Sequence, residues 1–184
     1  MKTRNLIILI SLASLVNGCV PVSLNPVYTN KNLAFEPGLI GKWSQDSTSN
    51  WTYETNNDSS YHVTYSEKDK RIDFIAHVVR IDKQYYMDLS PTSVTKENYL
   101  DHLLHMPVHA IFKMELEKNQ LRLYDMNQSW IENEIKKGKV KLTHVRSEEG
   151  MFLITASSEE LQQFISKHHK NAFSGVMELE RIQN

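Results

Sequence analysis

From Leu39 onward, apolar and polar residues alternate with a period of two, in short runs separated by turn residues. That pattern leaves little room for anything but antiparallel strands. Trp51 and Tyr53 alternate with Thr52 and Glu54, and Tyr61, Val63 and Tyr65 alternate with His62, Thr64 and Ser66. After Glu67-Lys68-Asp69-Lys70 as a turn, Ile72, Phe74, Ala76 and Val78 form one face of a long strand, while Ile75, Val79 and Ile81 partly fill the other. A strand that is apolar on both faces needs cover on both. Asp82-Lys83 turns into Tyr85, Met87 and Leu89, and Ala110, Phe112, Met114 and Leu116 resume the alternation. Asn119-Gln120 then turns into Leu121 and Leu123, and Val176 to Ile182 supplies a last strand.

Two helices interrupt the later part. Asn127 is placed to cap one that carries Trp130, Ile131 and Ile135 on one side, with Lys136 and Lys137 in its last turn and Gly138 as its stop. In the second, Ser157 and Glu160 have capping-box spacing, and Leu161, Phe164, Ile165 and His168 recur at helical intervals. The fold class expected is mostly β, with two short helices. Eight or nine strands in sequence order close naturally into an up-and-down antiparallel barrel, which abolishes exposed edges. A strongly curved open sheet packed on the second helix is the competing geometry.

The chain begins with Lys2 and Arg4, continues through an apolar run from Leu6 to Val16, and reaches Val16-Asn17-Gly18-Cys19. This is the layout of a signal peptide ending in a lipobox. The apolar run is too short to span a bilayer comfortably. Cys19 is the sole cysteine, at the one position where processing would make it the new N-terminus. The expected organisation is therefore a signal peptide over 1–18, a lipidated tether over 19–38, rich in Pro, Asn, Ser and Thr, and a barrel domain over 39–184. Resemblance to Gram-negative lipoproteins implies the cell envelope, and Val20 in place of an aspartate after the cysteine implies the outer membrane. Removing residues 1–18 takes Lys2 and Arg4 with it and leaves 19 basic groups against 22 acidic. A net charge near −3 offers no basic footprint for nucleic acid. Acylation of Cys19 also leaves no thiol for a disulfide, so a packed core must carry stability.

Leu39-Ile40-Gly41-Lys42-Trp43 opens the first strand and Arg181 lies in the last. This resembles the lipocalin pattern, in which Gly-x-Trp begins the barrel and a C-terminal arginine packs over the tryptophan. The resemblance implies structural closure by Gly41, Trp43 and Arg181. The Thr-Asp-Tyr motif of classical lipocalins is absent, and a helix is inserted near Trp130.

The inward set, Trp51, Tyr53, Tyr61, Tyr65, Phe74, Tyr85, Met87, Phe112 and Met114, is the candidate lining for an apolar ligand. An eight-stranded barrel either fills itself or holds one small molecule. The functional expectation is accordingly a membrane-anchored lipoprotein that binds a small apolar ligand or an envelope protein partner. No nucleophile elbow, zincin helix, phosphate loop or dinucleotide glycine pattern occurs, and the reading is non-enzymatic, without a cofactor. The alternative is a metal-dependent activity at His102, His105 and His109. Histidines three apart on a helical turn can share an ion, but the spacing matches no tight zinc signature. The expectation for this cluster is no metal, with Leu103, Leu104 and Met106 burying a lid at the barrel mouth.

Overall fold

The computed structural model describes residues 21–92, 108–147 and 152–183. In chain order the elements are β1 (Val22–Ser23), β2 (Leu33–Ala34), a 3-10 turn (Pro37–Leu39), β3 (Gly41–Ser44), β4 (Ser49–Asn57), β5 (Ser60–Glu67), β6 (Lys70–Ile81) and β7 (Gln84–Pro91). There follow β8 (His109–Leu116), β9 (Gln120–Met126), α1 (Gln128–Lys136), β10 (His144–Arg146), β11 (Phe152–Ile154), α2 (Ser158–His168) and β12 (Phe173–Arg181). Strands β3 to β9 pair antiparallel in sequence order, β12 pairs with β3, and β9 bonds both β8 and β12. The result is a closed, antiparallel, eight-stranded barrel of lipocalin-like form with two helices. The open curved sheet is not adopted, because β12 supplies the pairing that seals β3 to β9.

The turns form where the punctuation residues stand. Lys68 and Asp82 take left-handed φ values of 51° and 54°, reversing β5 into β6 and β6 into β7. Because every barrel strand reverses, the turns at 45–48 and 68–69, the last residue of β7 (Pro91) and the first of β8 (His109) share one end, here called the mouth. The turns at 58–59, 82–83 and 117–119 share the other end with the 3-10 turn. That end is the base.

Alternation divides the apolar residues between two cores. The inward cluster holds Trp43, Tyr53, Tyr61, Val63, Met87, Leu121, Leu123 and Leu179, each at most 1% exposed. The second core lies outside the barrel, where Val79, Ile81, Tyr86 and Ile111 face Ile131 of α1, Leu161, Phe164 and Ile165 of α2, and Phe152 and Ile154 of β11. This is the cover that the two-faced β6 demanded.

Residues 21–38, within the segment expected as a tether, form a strap woven into that second core. β1 pairs with β8 on one side and β11 on the other, and β2 pairs with β6. Asn25 Nδ2 donates to the Ala156 carbonyl at 2.9 Å, the Ser158 hydroxyl donates to the Pro26 carbonyl at 2.6 Å, and Gln162 Nε2 donates to the Val27 carbonyl at 2.8 Å. The prolines block long regular structure, as anticipated. They do not prevent two-residue strands or side-chain bonds from fixing the path.

Both helices begin at the expected caps: Asn127 Oδ1 accepts from the Trp130 N–H at 3.0 Å and Ser157 Oγ from the Glu160 N–H at 3.2 Å. Glu160 does not complete a capping box. Its carboxylate turns away to accept from the Thr143 N–H at 2.7 Å and the Thr143 hydroxyl, joining α2 to the strand-like segment before β10.

Candidate functional site

The base is sealed by the residues that carry the lipocalin resemblance. The Arg181 guanidinium lies over the Trp43 ring, 4.1 Å from its centroid. Its Nε donates to the Lys118 carbonyl at 3.0 Å, one terminal nitrogen to the Ile40 carbonyl at 3.0 Å, and the other to the Gly38 carbonyl. Gly41 is obligatory for two reasons: its φ is +131°, and a Cβ there would lie 2.8 Å from the guanidinium. The Trp43 indole N–H donates to the Leu39 carbonyl at 2.8 Å, so the 3-10 turn closes over the tryptophan.

All nine residues expected to line a pocket belong to the inward cluster or pack against it. They differ by height. Tyr53, Tyr61 and Met87 are fully buried, and the Tyr53 hydroxyl lies 3.8 Å from Met87 Sδ, so these side chains cross and fill the lower barrel. Burial pushes the Tyr53 phenol well above its usual range. Tyr61 is fixed at the base by Phe35, stacked at 5.0 Å, and by the Glu36 N–H, which donates to its hydroxyl at 2.6 Å. Toward the mouth, Tyr65, Phe74 and Phe112 remain only half-buried, as does inward-facing Met177. The Trp51 ring packs on Tyr65 at 4.8 Å and Phe74 at 6.2 Å. The interior is thus filled at the base by fully buried side chains, and its less buried apolar side chains lie toward the mouth. Tyr85 packs on the same cluster from the base end of β7, opposite Met114.

A second constellation lies on the outer wall, beneath the strap. Asp88 is 1% exposed. One carboxylate oxygen accepts from the buried Val27 N–H at 2.7 Å, and the other lies 2.6 Å from His109 Nδ1. His77 is the cross-strand partner of Asp88. Tyr28 stacks on His77 at 4.0 Å and meets the His109 ring edge-on at 6.3 Å. Burial holds the His77 imidazole below its ordinary range despite the neighbouring Asp88 charge, with His109 adding to the depression. Burial and Asp88 push the Tyr28 phenol upward.

Chemically, the carboxylate orients one imidazole and pins a backbone amide, and no nucleophile is bonded to His109 among the described residues. His109 was grouped by sequence with His102 and His105, which lie outside the described residues together with Leu103, Leu104, Met106 and Cys19. Its structural partner is Asp88, 21 positions away on the adjacent strand. No group of three or more potential ligands is arranged to hold a metal ion among the described residues. The sequence signal for this pairing was an acidic residue, Asp88, on the outer face between apolar Tyr86 and the strand end, a place where an unpaired charge would be costly.

No protein-family model matches the chain, and neither a curated protein nor a solved structure is significantly similar to it. The barrel therefore stands on its own geometry, and no enzyme-like family attaches to it.

Proposed function

We propose that this protein is a non-enzymatic, lipid-anchored lipoprotein of the cell envelope, on the periplasmic face of the outer membrane in a Gram-negative cell, whose barrel takes up a small apolar ligand at its mouth. The observation that carries the ligand reading is the gradient inside the barrel. Fully buried large side chains fill the base, while inward-facing Tyr65, Phe74, Phe112 and Met177 stay only partly buried toward the mouth. A concave apolar surface with few polar groups is the usual form of a small-molecule site. The lipobox ending at Cys19 supports the anchor, and several acyl chains on one residue hold a protein durably at a bilayer.

Two measurements test the reading. Mass spectrometry of the membrane fraction is expected to find acyl groups on residue 19, and Cys19→Ser is expected to remove them; an unacylated wild-type Cys19 refutes the anchor. Energy transfer from tryptophan to the neutral probe N-phenyl-1-naphthylamine, in the secreted Cys19→Ser form, is expected to be saturable and to fall when Phe74 or Phe112 is changed to Asp. Transfer that is absent, or unaffected by both substitutions, refutes the ligand site.

A further inference from the structure

A groove of about 410 Å³ lies on the outer wall of the barrel where α2 ends, lined by Gln84 of β7, Lys113 of β8, Tyr124 of β9 and, on the path from α2 into β12, His169, Lys170 and Phe173. Small-ligand sites span about 300–1,000 Å³, so the groove has room for a small molecule. Its walls are fastened on both sides. The Ser166 hydroxyl donates to Asp82 at 2.6 Å, which ties the last turn of α2 to the β6–β7 turn beside Gln84. The Asn171 and Ala172 amides donate to the His168 carbonyl at 3.0 and 2.9 Å, and the Phe173 ring packs on Tyr86 at 5.4 Å. On the barrel, Lys113 Nζ donates to Glu115 at 2.9 Å and lies 5.1 Å from the centroid of Tyr124, whose hydroxyl donates to the other Glu115 oxygen at 2.9 Å.

Three lining groups are left for a ligand. The Gln84 amide and the Lys170 ammonium have no partner among the described residues. His169 Nδ1 lies 3.2 Å from the Ser166 carbonyl, which only accepts, so that nitrogen carries a proton and Nε2 has no partner among the described residues. The charges around them are predominantly positive. Lys113 and Lys170 line the groove and no acid does. Of the acids beside it, Glu115 is paired with Lys113 and Asp82 is held by Ser166, and Lys83 and Lys167 stand in the adjoining turns. The C-terminal end of a helix dipole disfavours an anion, but here His169, Asn171 and Ala172 bond the Ser166 and His168 carbonyls that would express it.

We propose that this groove is a site for a small organic anion, whose carboxylate or phosphate head is held by Lys170 and the Gln84 amide and whose short apolar body lies against Tyr124 and Phe173. His169 adds a third donor when its ring is protonated. The site lies outside the barrel and is independent of the apolar-ligand reading above.

The test is nuclear magnetic resonance of the full acylated chain in a non-ionic detergent, titrated with four probes that share a phenyl ring: 3-phenylpropanoate, phenyl phosphate, 3-phenylpropanol and 3-phenylpropylamine. At least one anion is expected to move the Gln84 side-chain amide and the His169 ring resonances saturably, and the tighter of the two identifies the head. Its affinity should fall about threefold in Lys170→Met and again in Gln84→Leu, and should weaken with added salt, as for any solvent-exposed charge pair. Both side chains lie at the surface, and an unchanged melting temperature shows that the variants are folded. The alcohol should bind several-fold more weakly than the anion and the amine most weakly, with Lys170→Glu reversing the order of propanoate and amine. An alcohol that binds as tightly as both anions overturns the charged head. Shifts indifferent to Lys170→Met and Gln84→Leu place the anion elsewhere and overturn the site, as does the absence of any shift with either anion up to about 10 mM.

Discussion

Replacing Asp88 with alanine removes the one acceptor that serves both the strap and the outer wall of the barrel. The Val27 amide, in a residue with no exposure, loses its partner at 2.7 Å, and His109 loses the carboxylate at 2.6 Å. An unpaired buried N–H costs about 1–3 kcal/mol. Losing the hydrogen bond to His109 costs about 1–3 kcal/mol more. The two terms share the same carboxylate and are not additive, so about 3–4 kcal/mol is the expected loss for Asp88→Ala. Asp88→Asn keeps an oxygen for the Val27 N–H and turns its amide toward His109, so its loss should be nearer 1–2 kcal/mol, the difference between a charge-assisted and a neutral bond. For a domain of this size the alanine variant should melt roughly 10 °C lower than wild type. Urea denaturation and calorimetry measure the differences, and hydrogen exchange at the Val27 amide reads the strap directly. A loss below about 1 kcal/mol for Asp88→Ala, or no acceleration of exchange at Val27, would refute the account of Asp88 as the pin of the strap.

At the base, Arg181→Met gives up the contact with Trp43 and three carbonyl partners and should cost about 2–3 kcal/mol by denaturation; Gly41→Ala should be comparably harmful, since it strains a φ of +131° and crowds the same guanidinium, and a neutral result for either would show the closure to be incidental. Stability should also fall with pH below about 6.5, because burial, chiefly, holds both His77 and His168 below their ordinary value, so that the unfolded chain takes up protons that the folded one resists. His77→Phe, which keeps a ring against Tyr28, should flatten the profile between neutral and mildly acidic pH; an unchanged slope would place the sensitivity elsewhere.

The hairpin meander was legible because each strand announces itself locally: inward residues alternate, and turn residues separate the runs. Both helix starts were legible for the same reason, since a cap and the amide it serves lie three positions apart. The closing contact of Trp43 with Arg181 was readable only through a resemblance of pattern. What escaped were partnerships across long sequence separation. The strap reads as a linker because its strands are two residues long and its fixing bonds come from Ala156, Ser158 and Gln162, more than a hundred positions away. Glu160 has the spacing of a capping box, yet Thr143 offers its carboxylate two donors at once, and tertiary contact prevails over local habit. His109 was sorted with its sequence neighbours when its bond is with the next strand. The indole N–H of Trp51, unpaired among the described residues, carries no sequence signal, because pairing is a property of the assembled interior.

The strap also sets a length. Val22 is already hydrogen-bonded between β8 and β11, and it stands three positions beyond Cys19, with Val20 and Pro21 between them. Fully extended, three such steps reach about 10 Å. An acyl anchor at Cys19 would therefore moor the barrel close against the headgroups rather than let it swing on a long leash. Whatever enters the mouth of such a moored barrel would be met within a lipid-chain's length of the bilayer, where apolar molecules are most concentrated.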